Sequence, residues 1–458
     1  MDTSYIMKNA RKPLYAILAL LAFCVIAVSP AFLHGEEADL KATRSEFQKI
    51  PIWVMGFSPV QRDTGLSEDI ETQVASVLKA DLKRSQIFSI TDLPPAKGDF
   101  SDNKCMSLSS NLAPHFQKVT VSTWGRIGVG GTSNGVQGLI LDACAFDPGQ
   151  QDVLTGKRYF SLKTTETLTR LMAHRWADEL VYRYTGEQGI ARTKIAFVGQ
   201  KENGRELFVM DYDGYDPQQV TADGYLNLMP TWAPDRKSLI YTAYRDRKQL
   251  IMKRELATGR EEILVSPASL NITASFAPNG KSIAYSAAQD GNSDLYQIEL
   301  DSRNVKQLTS HNSADLSPSW SPDGRHLAFT SDRGGRPQIY IMDADGLNVR
   351  RLTFDGDYNA APAWSPKGDW IVYVCRVPSE GFKLCRISPN GEQRKQITNG
   401  QSIDDSPSWA PNGRHIVFSS IRRGESHLYI ITSEGAGLEK ISLAGEHLSS
   451  PSWSPFQP

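Results

Sequence analysis

An excess of charge of either sign is what this 458-residue chain lacks most plainly, since 50 Lys and Arg stand against 51 Asp and Glu. A near-neutral surface gives no electrostatic footprint for a polyanion, so nucleic acid is excluded as a partner. Cysteine is sparse, at five residues. Long apolar runs are scarce as well. One, Leu14 to Val28, follows Lys8, Arg11 and Lys12 and precedes Ser29-Pro30-Ala31. This is the layout of an export signal with small residues at a cleavage point. The apolar stretch continues through Phe32 and Leu33 towards the roughly 20 residues of a spanning helix, but Pro30 and its small neighbours favour cleavage, with residues 1–31 removed. Leu21-Ala22-Phe23-Cys24 departs from a lipoprotein box because Phe23 is bulky where a small residue is needed. Export leaves Cys105, Cys144, Cys375 and Cys385, an even number in a compartment where disulfides persist. Cys375 and Cys385 flank one hairpin. They either bridge across it or stay as buried thiols, according to whether register brings their Cα atoms close enough. Cys105 and Cys144 are the other candidate pair.

What the chain has in abundance is repetition. The phrase Pro-x-Trp-(Ser/Ala)-Pro-(Asp/Asn/Lys)-Gly recurs with its aromatic at Trp232, Phe276, Trp320, Trp364, Trp409 and Trp453, in steps of 44, 44, 44, 45 and 44. Short strands at a fixed period in this range are propeller blades. Second strands follow the turn, as in Leu239-Ile240-Tyr241 and Ile416-Val417-Phe418; third strands include Leu207 to Met210 and Ile339 to Met342; Leu308-Thr309, Leu352-Thr353 and Ile397-Thr398 mark fourth strands. The expected fold is therefore an all-β, six-bladed propeller with WD40-like repeats over 191–458. It begins on a second strand, at Ile195, and ends on a first strand, at Trp453. Pairing these two ends shuts the ring and removes its open edge. Pro and Gly set the turns, and the aromatics fill the space between blades.

The preceding 50–190 read as a smaller α/β domain, after a polar lead-in over 32–49. Ile52 to Phe57 is strand-like, and a helix follows with Ser67 as its cap and Ile70, Val74, Val77, Leu78 and Leu82 on one face. Ile87 to Ile90, Val136 to Phe146 and Val153 to Ser161 are strands. A long helix from Thr165 to Tyr184 carries Leu168, Leu171, Met172, Trp176 and Leu180, and Gly186 closes it. Gly131-Thr132-Ser133-Asn134-Gly135 matches a nucleophile elbow, but with Gly128 and Gly130 it reads as a glycine-rich loop leading into a strand, where that chemistry needs a strand-to-helix turn with an acid and a His later. Asp211-Tyr212-Asp213-Gly214 and Asp343-Ala344-Asp345-Gly346 resemble calcium-loop fragments, yet neither continues into EF-hand ligand spacing, so both read as hairpin turns. No metal, cofactor or catalytic residue is assigned.

Several phrases outside the blades resemble the TolB family of the Tol-Pal envelope system: Ala173-His174-Arg175-Trp176-Ala177-Asp178-Glu179, Tyr184-Thr185-Gly186-Glu187-Gln188-Gly189, Thr193 to Val198, Asp211 to Tyr215, and the ending Pro451 to Phe456. The resemblance implies a non-enzymatic, periplasmic, monomeric interaction protein. It would bind the lipoprotein Pal and reach TolA through its N-terminal segment, and so touch the membrane only through partners. The chain departs from the pattern with Arg236 for Gly, Ala274 for Pro, Phe276 for Trp, and a lead-in from Glu36 to Lys49 that does not match the family's TolA-binding segment. The alternative, a propeller gating a peptidase, needs a hydrolase domain and a Ser-Asp-His order for which the chain has no room.

The loops entering each first strand differ between blades beside an invariant scaffold, as a recognition surface requires. They place Leu270, Asn271, Thr273, Asp315, Leu316, Asn359, Asp404 and Asp405 at the channel mouth. The resemblance puts the Pal contact at the same mouth, at positions corresponding to Leu270, Thr273 and Leu316. Asp323 and Asn412, in the Pro-Asp-Gly turns, fall on the opposite face and are expected to tolerate change.

Overall fold

The computed structural model describes residues 48–456 apart from 61–68, 97–99, 102–103, 106–111, 132–134, 203, 267–270, 290 and 443–446. The export signal, most of the lead-in, Ser67, Ser133 and Leu270 therefore lie outside the described residues.

The α/β part is a five-stranded sheet in the order Phe88–Ile90, Ile50–Pro59, Val121–Gly131, Gln137–Asp147, Asp152–Ser161. Its first two pairings are parallel and its last two antiparallel. The strand Val121–Gly131 corrects the expectation of a loop around Gly128 and Gly130. These glycines are strand residues: a Cβ on nearby Gly125 would lie 2.5 Å from the Asp142 carbonyl, which requires glycine there, while one on Gly130 would lie 2.8 Å from the terminal Cδ1 of Ile140, which can shift. Gly131 pairs antiparallel with Gln137, so the described residues before and after 132–134 are strand on both sides, with no helix after them. The first helix, Ile70–Arg84, has Asp69 at its N-cap in place of the expected Ser67. The long helix, Glu166–Thr185, is capped by Thr165, whose hydroxyl accepts from the Leu168 N–H, and ends on Gly186 at φ 69°. Both cysteine pairs are disulfides, each with a Cα separation of 5.8 Å.

From Lys194 the chain is a β-propeller. Four four-stranded antiparallel sheets, beginning at Asn271, Asp315, Asn359 and Ile403, stand separately. The remaining strands are hydrogen-bonded as one eight-stranded sheet, in which two four-stranded sets meet through a single parallel pair, Leu226 with Arg205. One of those sets is completed by the chain's two ends, with Trp453 opposite Ile195 and Leu448 opposite Gly199. Fourth strands are shorter than expected and stop at Gln307, Arg351 and Gln396, just before the marker pairs. The marker threonine instead accepts from a third-strand N–H, Thr309 from Leu295 and Thr353 from Ile339.

The repeated aromatics pack between neighbouring repeats. Trp409 sits with Val372, Val374 and Leu384 of the preceding repeat, and its indole N–H donates to Ala363 O. Gly280, Gly324, Gly368 and Gly413 hold the turn at φ 63–77°. Arg236 occupies the equivalent position at φ 62°, and its guanidinium donates to Phe456 O near the C-terminus. The departure at Arg236 thus ties the turn to the closing strand.

Residues 50–458 form one compact unit, and one apolar core runs from both helices into the repeat that joins the chain's ends. The Pro-Asp-Gly turn face meets the α/β part here: Glu187 pairs with Lys367 at 2.5 Å and Arg414 at 3.2 Å. His415 Nε2 lies 2.9 Å from Arg84 O. Because a carbonyl only accepts, Nε2 carries the proton and Nδ1 accepts from the Asn412 amide at 3.2 Å. Asn412 therefore orients a seam histidine and is not a freely variable turn residue. Burial pushes His415 down to about 4, aided by the charges of Arg414 and Arg84 and opposed by the bond to Arg84 O. Above about pH 6.5 the ring is neutral in both folded and unfolded chains; below it only the unfolded chain takes the proton, until about pH 4. Chemical unfolding at pH 7.5 and 4.5 should show a loss of up to about 3 kcal/mol from this ring. The pH slope is expected to shrink in His415→Gln.

Candidate functional site

The first strands are the innermost, and their Pro residues are tolerated because an edge strand leaves some N–H groups unused. In the described residues, each first strand slips register around its Pro, between Leu228 and Thr231, Leu316 and Ser319, Ala360 and Ala363, Asp405 and Ser408, and Ser449 and Ser452. The residue just before the Pro sits in the left-handed region: Met229, Ser317, Ala361, Ser406 and Ser450 have φ between 49° and 54°. A bulge here re-aims the entering residues. The strands surround a cavity of about 670 Å³ walled by Pro, Trp, Ser, Thr and Ala. Among the described residues that line it, Asp405 is the one charged side chain.

The bulge sorts the expected mouth residues into two sets. Asp315, Asn359 and Asp404 are only 0 %, 1 % and 0 % exposed, so they are withdrawn from the surface a partner reaches. Each completes a polar clamp. Arg333 donates to both Asp315 oxygens, at 2.8 and 3.0 Å. Asn359 donates to Gln338 Oε1 at 2.9 Å, and Lys383 lies 3.7 Å from Asp404 Oδ2. Asn227 makes the same kind of contact, donating to Glu206 Oε2 at 3.1 Å. Burial pulls Lys383 below the ordinary lysine range, and the Asp404 charge opposes it.

Asp405 is exposed and lines the cavity, Thr273 lines it half-buried, and Leu316 is half-buried just before the cavity-lining Ser317. The Thr273 hydroxyl accepts from the Ser317 N–H at 3.1 Å, so it also braces the next strand. Asn271 belongs to a first strand, opposite Ala287. The bulge residues Ser317, Ala361 and Ser406 also face the cavity. They belong to the same entering loops, and a Pro inside a strand run is the signal for the edge or bulge that turns them inward.

Comparison with known proteins agrees with this architecture. The family model for the TolB beta propeller domain matches residues 181–457. The Tol-Pal system protein TolB of Methylobacillus flagellatus is 32% identical over 224 residues, 48% of this chain and 47% of that protein. The Tol-Pal system protein TolB of Geobacter sulfurreducens is 35% identical over 228 residues, 48% of each. The chain spans about half the length of the curated relatives it matches. The crystal structure of TolB from Acinetobacter baumannii superposes with a TM-score of 0.75 at 27% identity, covering 89% of this chain and 97% of that one.

Proposed function

The chain belongs to the TolB β-propeller family, and from that premise we propose that it is a non-enzymatic interaction protein of the periplasm that binds the lipoprotein Pal at the channel mouth. The observation that carries this reading is the contrast within the mouth itself. The scaffold residues Asp315, Asn359 and Asp404 are buried in clamps, which leaves a lip of differing side chains around a cavity walled mainly by small and apolar groups. A surface of that kind recognises a partner by shape and a few polar contacts, and its lone charged group offers no acid and base pair for catalysis. The two four-stranded sets of the eight-stranded sheet count as two blades, so the ring has six, closed by the chain's own ends. The 191–458 ring is read as the Pal-binding part and 50–190 as a domain seated on the opposite, Pro-Asp-Gly face. The segment before Ile50 leads on to TolA. Export with cleavage near residue 31 supplies the compartment; no described helix is long and apolar enough to cross a membrane.

Asp405→Arg and Leu316→Arg should each weaken binding of soluble Pal in calorimetric titration by tenfold or more, about 1.4 kcal/mol, with unchanged melting temperatures. Asp323→Ala, in an exposed turn, should leave the titration as it is. Wild-type affinity in both lip variants would place the contact elsewhere.

A further inference from the structure

We propose that His174, Asp211 and Asp213 form a binding site for one divalent first-row transition cation, zinc in the first instance, at the seam between the long helix and the start of the propeller. One potential ligand atom from each of the three lies within 4.8 Å of the others. Neighbouring ligands of a tetrahedral zinc are about 3.4 Å apart, so small side-chain rotations close the set, and water takes the fourth position.

The independent observation is the histidine. His174 is 3 % exposed, and its Nε2 is buried with no hydrogen-bond partner. An orphaned buried ring nitrogen is costly unless something else satisfies it. Its other nitrogen is already fixed: Nδ1 lies 2.6 Å from Asp81 Oδ2, and Asp81 Oδ1 accepts from the Tyr212 hydroxyl at 2.5 Å. A carboxylate that holds one ring nitrogen and leaves the other unpartnered is the arrangement that orients a metal-ligating imidazole. One imidazole with two carboxylates suits zinc and its first-row neighbours.

The site's existing counter-charges leave room for the ion. Lys194 donates to Asp211 Oδ1 at 2.6 Å, but its side chain is 40% exposed and can swing into solvent. Among the described residues no hydrogen bond reaches the other Asp211 oxygen. Arg170 pairs with Asp213 and stacks 4.0 Å over Tyr215, a position from which it can stay bound to a metal-ligating carboxylate. The related turn at Asp343 and Asp345 serves as an internal control. The imidazole beside it, His326, has a side chain 44% exposed and lies 3.5 Å from Asp343, so it is not a buried orphan.

The test is zinc binding by the chelator-stripped full-length protein, read as stoichiometry by elemental analysis and as the shift in melting temperature with zinc concentration. Asp211→Asn, Asp213→Asn and Asp343→Asn are run beside it, with the ultraviolet circular dichroism of each metal-free variant as the folding check. One zinc per chain, with affinity reduced roughly tenfold or more in the first two variants and retained in the third, supports the site. Co²⁺ in place of zinc should give visible absorption bands that vanish in Asp211→Asn. No retained zinc, equal retention in all three variants, or a zinc-soaked crystal showing only water at His174 Nε2 would overturn the proposal.

Discussion

Deleting Leu448 to Pro458 should abolish the cooperative unfolding transition or leave an aggregating protein, because this strand is held from three sides. It supplies the innermost strand of the set that starts at Lys194, through pairs from Leu448↔Gly199 to Trp453↔Ile195. The Ser452 carbonyl accepts the Trp232 indole N–H at 3.1 Å, and the Trp453 N–H donates to Ser408 Oγ at 3.0 Å, so both neighbouring repeats lose contacts too. Trp453 is buried in the large core, and its indole donates to Thr193 Oγ1 at 2.7 Å. Trp453→Ala alone should cost about 3–5 kcal/mol for the lost volume and contacts. The full deletion adds an unpaired edge along Lys194–Lys201. Thermal and guanidinium unfolding read both effects; a truncated chain melting like the intact one would mean that the ends do not carry the ring.

Lys383→Met should destabilise the protein by about 3–5 kcal/mol, and so should Asp404→Leu, since each strands a buried partner charge. Both side chains are 0% exposed. Lys383 Nζ donates to Ser402 Oγ at 2.8 Å, and Asp404 Oδ1 accepts from Ser420 Oγ at 2.6 Å, so the clamp is a network with the ion pair at its centre. The double variant should recover most of the loss, because two apolar groups of similar size replace a pair whose desolvation nearly cancels its attraction. Denaturant unfolding of the four proteins yields the coupling energy directly. Strictly additive losses would show that the two groups do not act as a pair. Asp404 and Asp405 are adjacent, yet the first should affect stability and the second binding.

That contrast marks how far the sequence could be read. The 44-residue period and the turn phrase were legible because each is a local signal repeated along the chain, and the phase of the first and last strands follows from that repeat. The mouth was legible as a place but not side chain by side chain. Along a regular strand the faces alternate, but the left-handed residue before each Pro breaks the alternation, and whether Asp404 or Asp405 turns inward depends on that bulge. In the α/β part, glycine misled in the opposite direction. Gly125 and Gly130 serve close strand packing, and single-sequence periodicity cannot tell such a strand from a glycine-rich loop. The seam was the least legible, since Arg84 and His415 are 331 residues apart and meet only because the turn face is covered.

The most direct test of the mouth assignment is site-specific photo-crosslinking in the periplasm, with a photoreactive amino acid placed singly at Asp405, Leu316 and Asp323. Crosslinks to Pal from 405 and 316 and none from 323 are the expected result. Crosslinks to Pal from 323 with none from 405 or 316 would contradict it and move the partner to the Pro-Asp-Gly face.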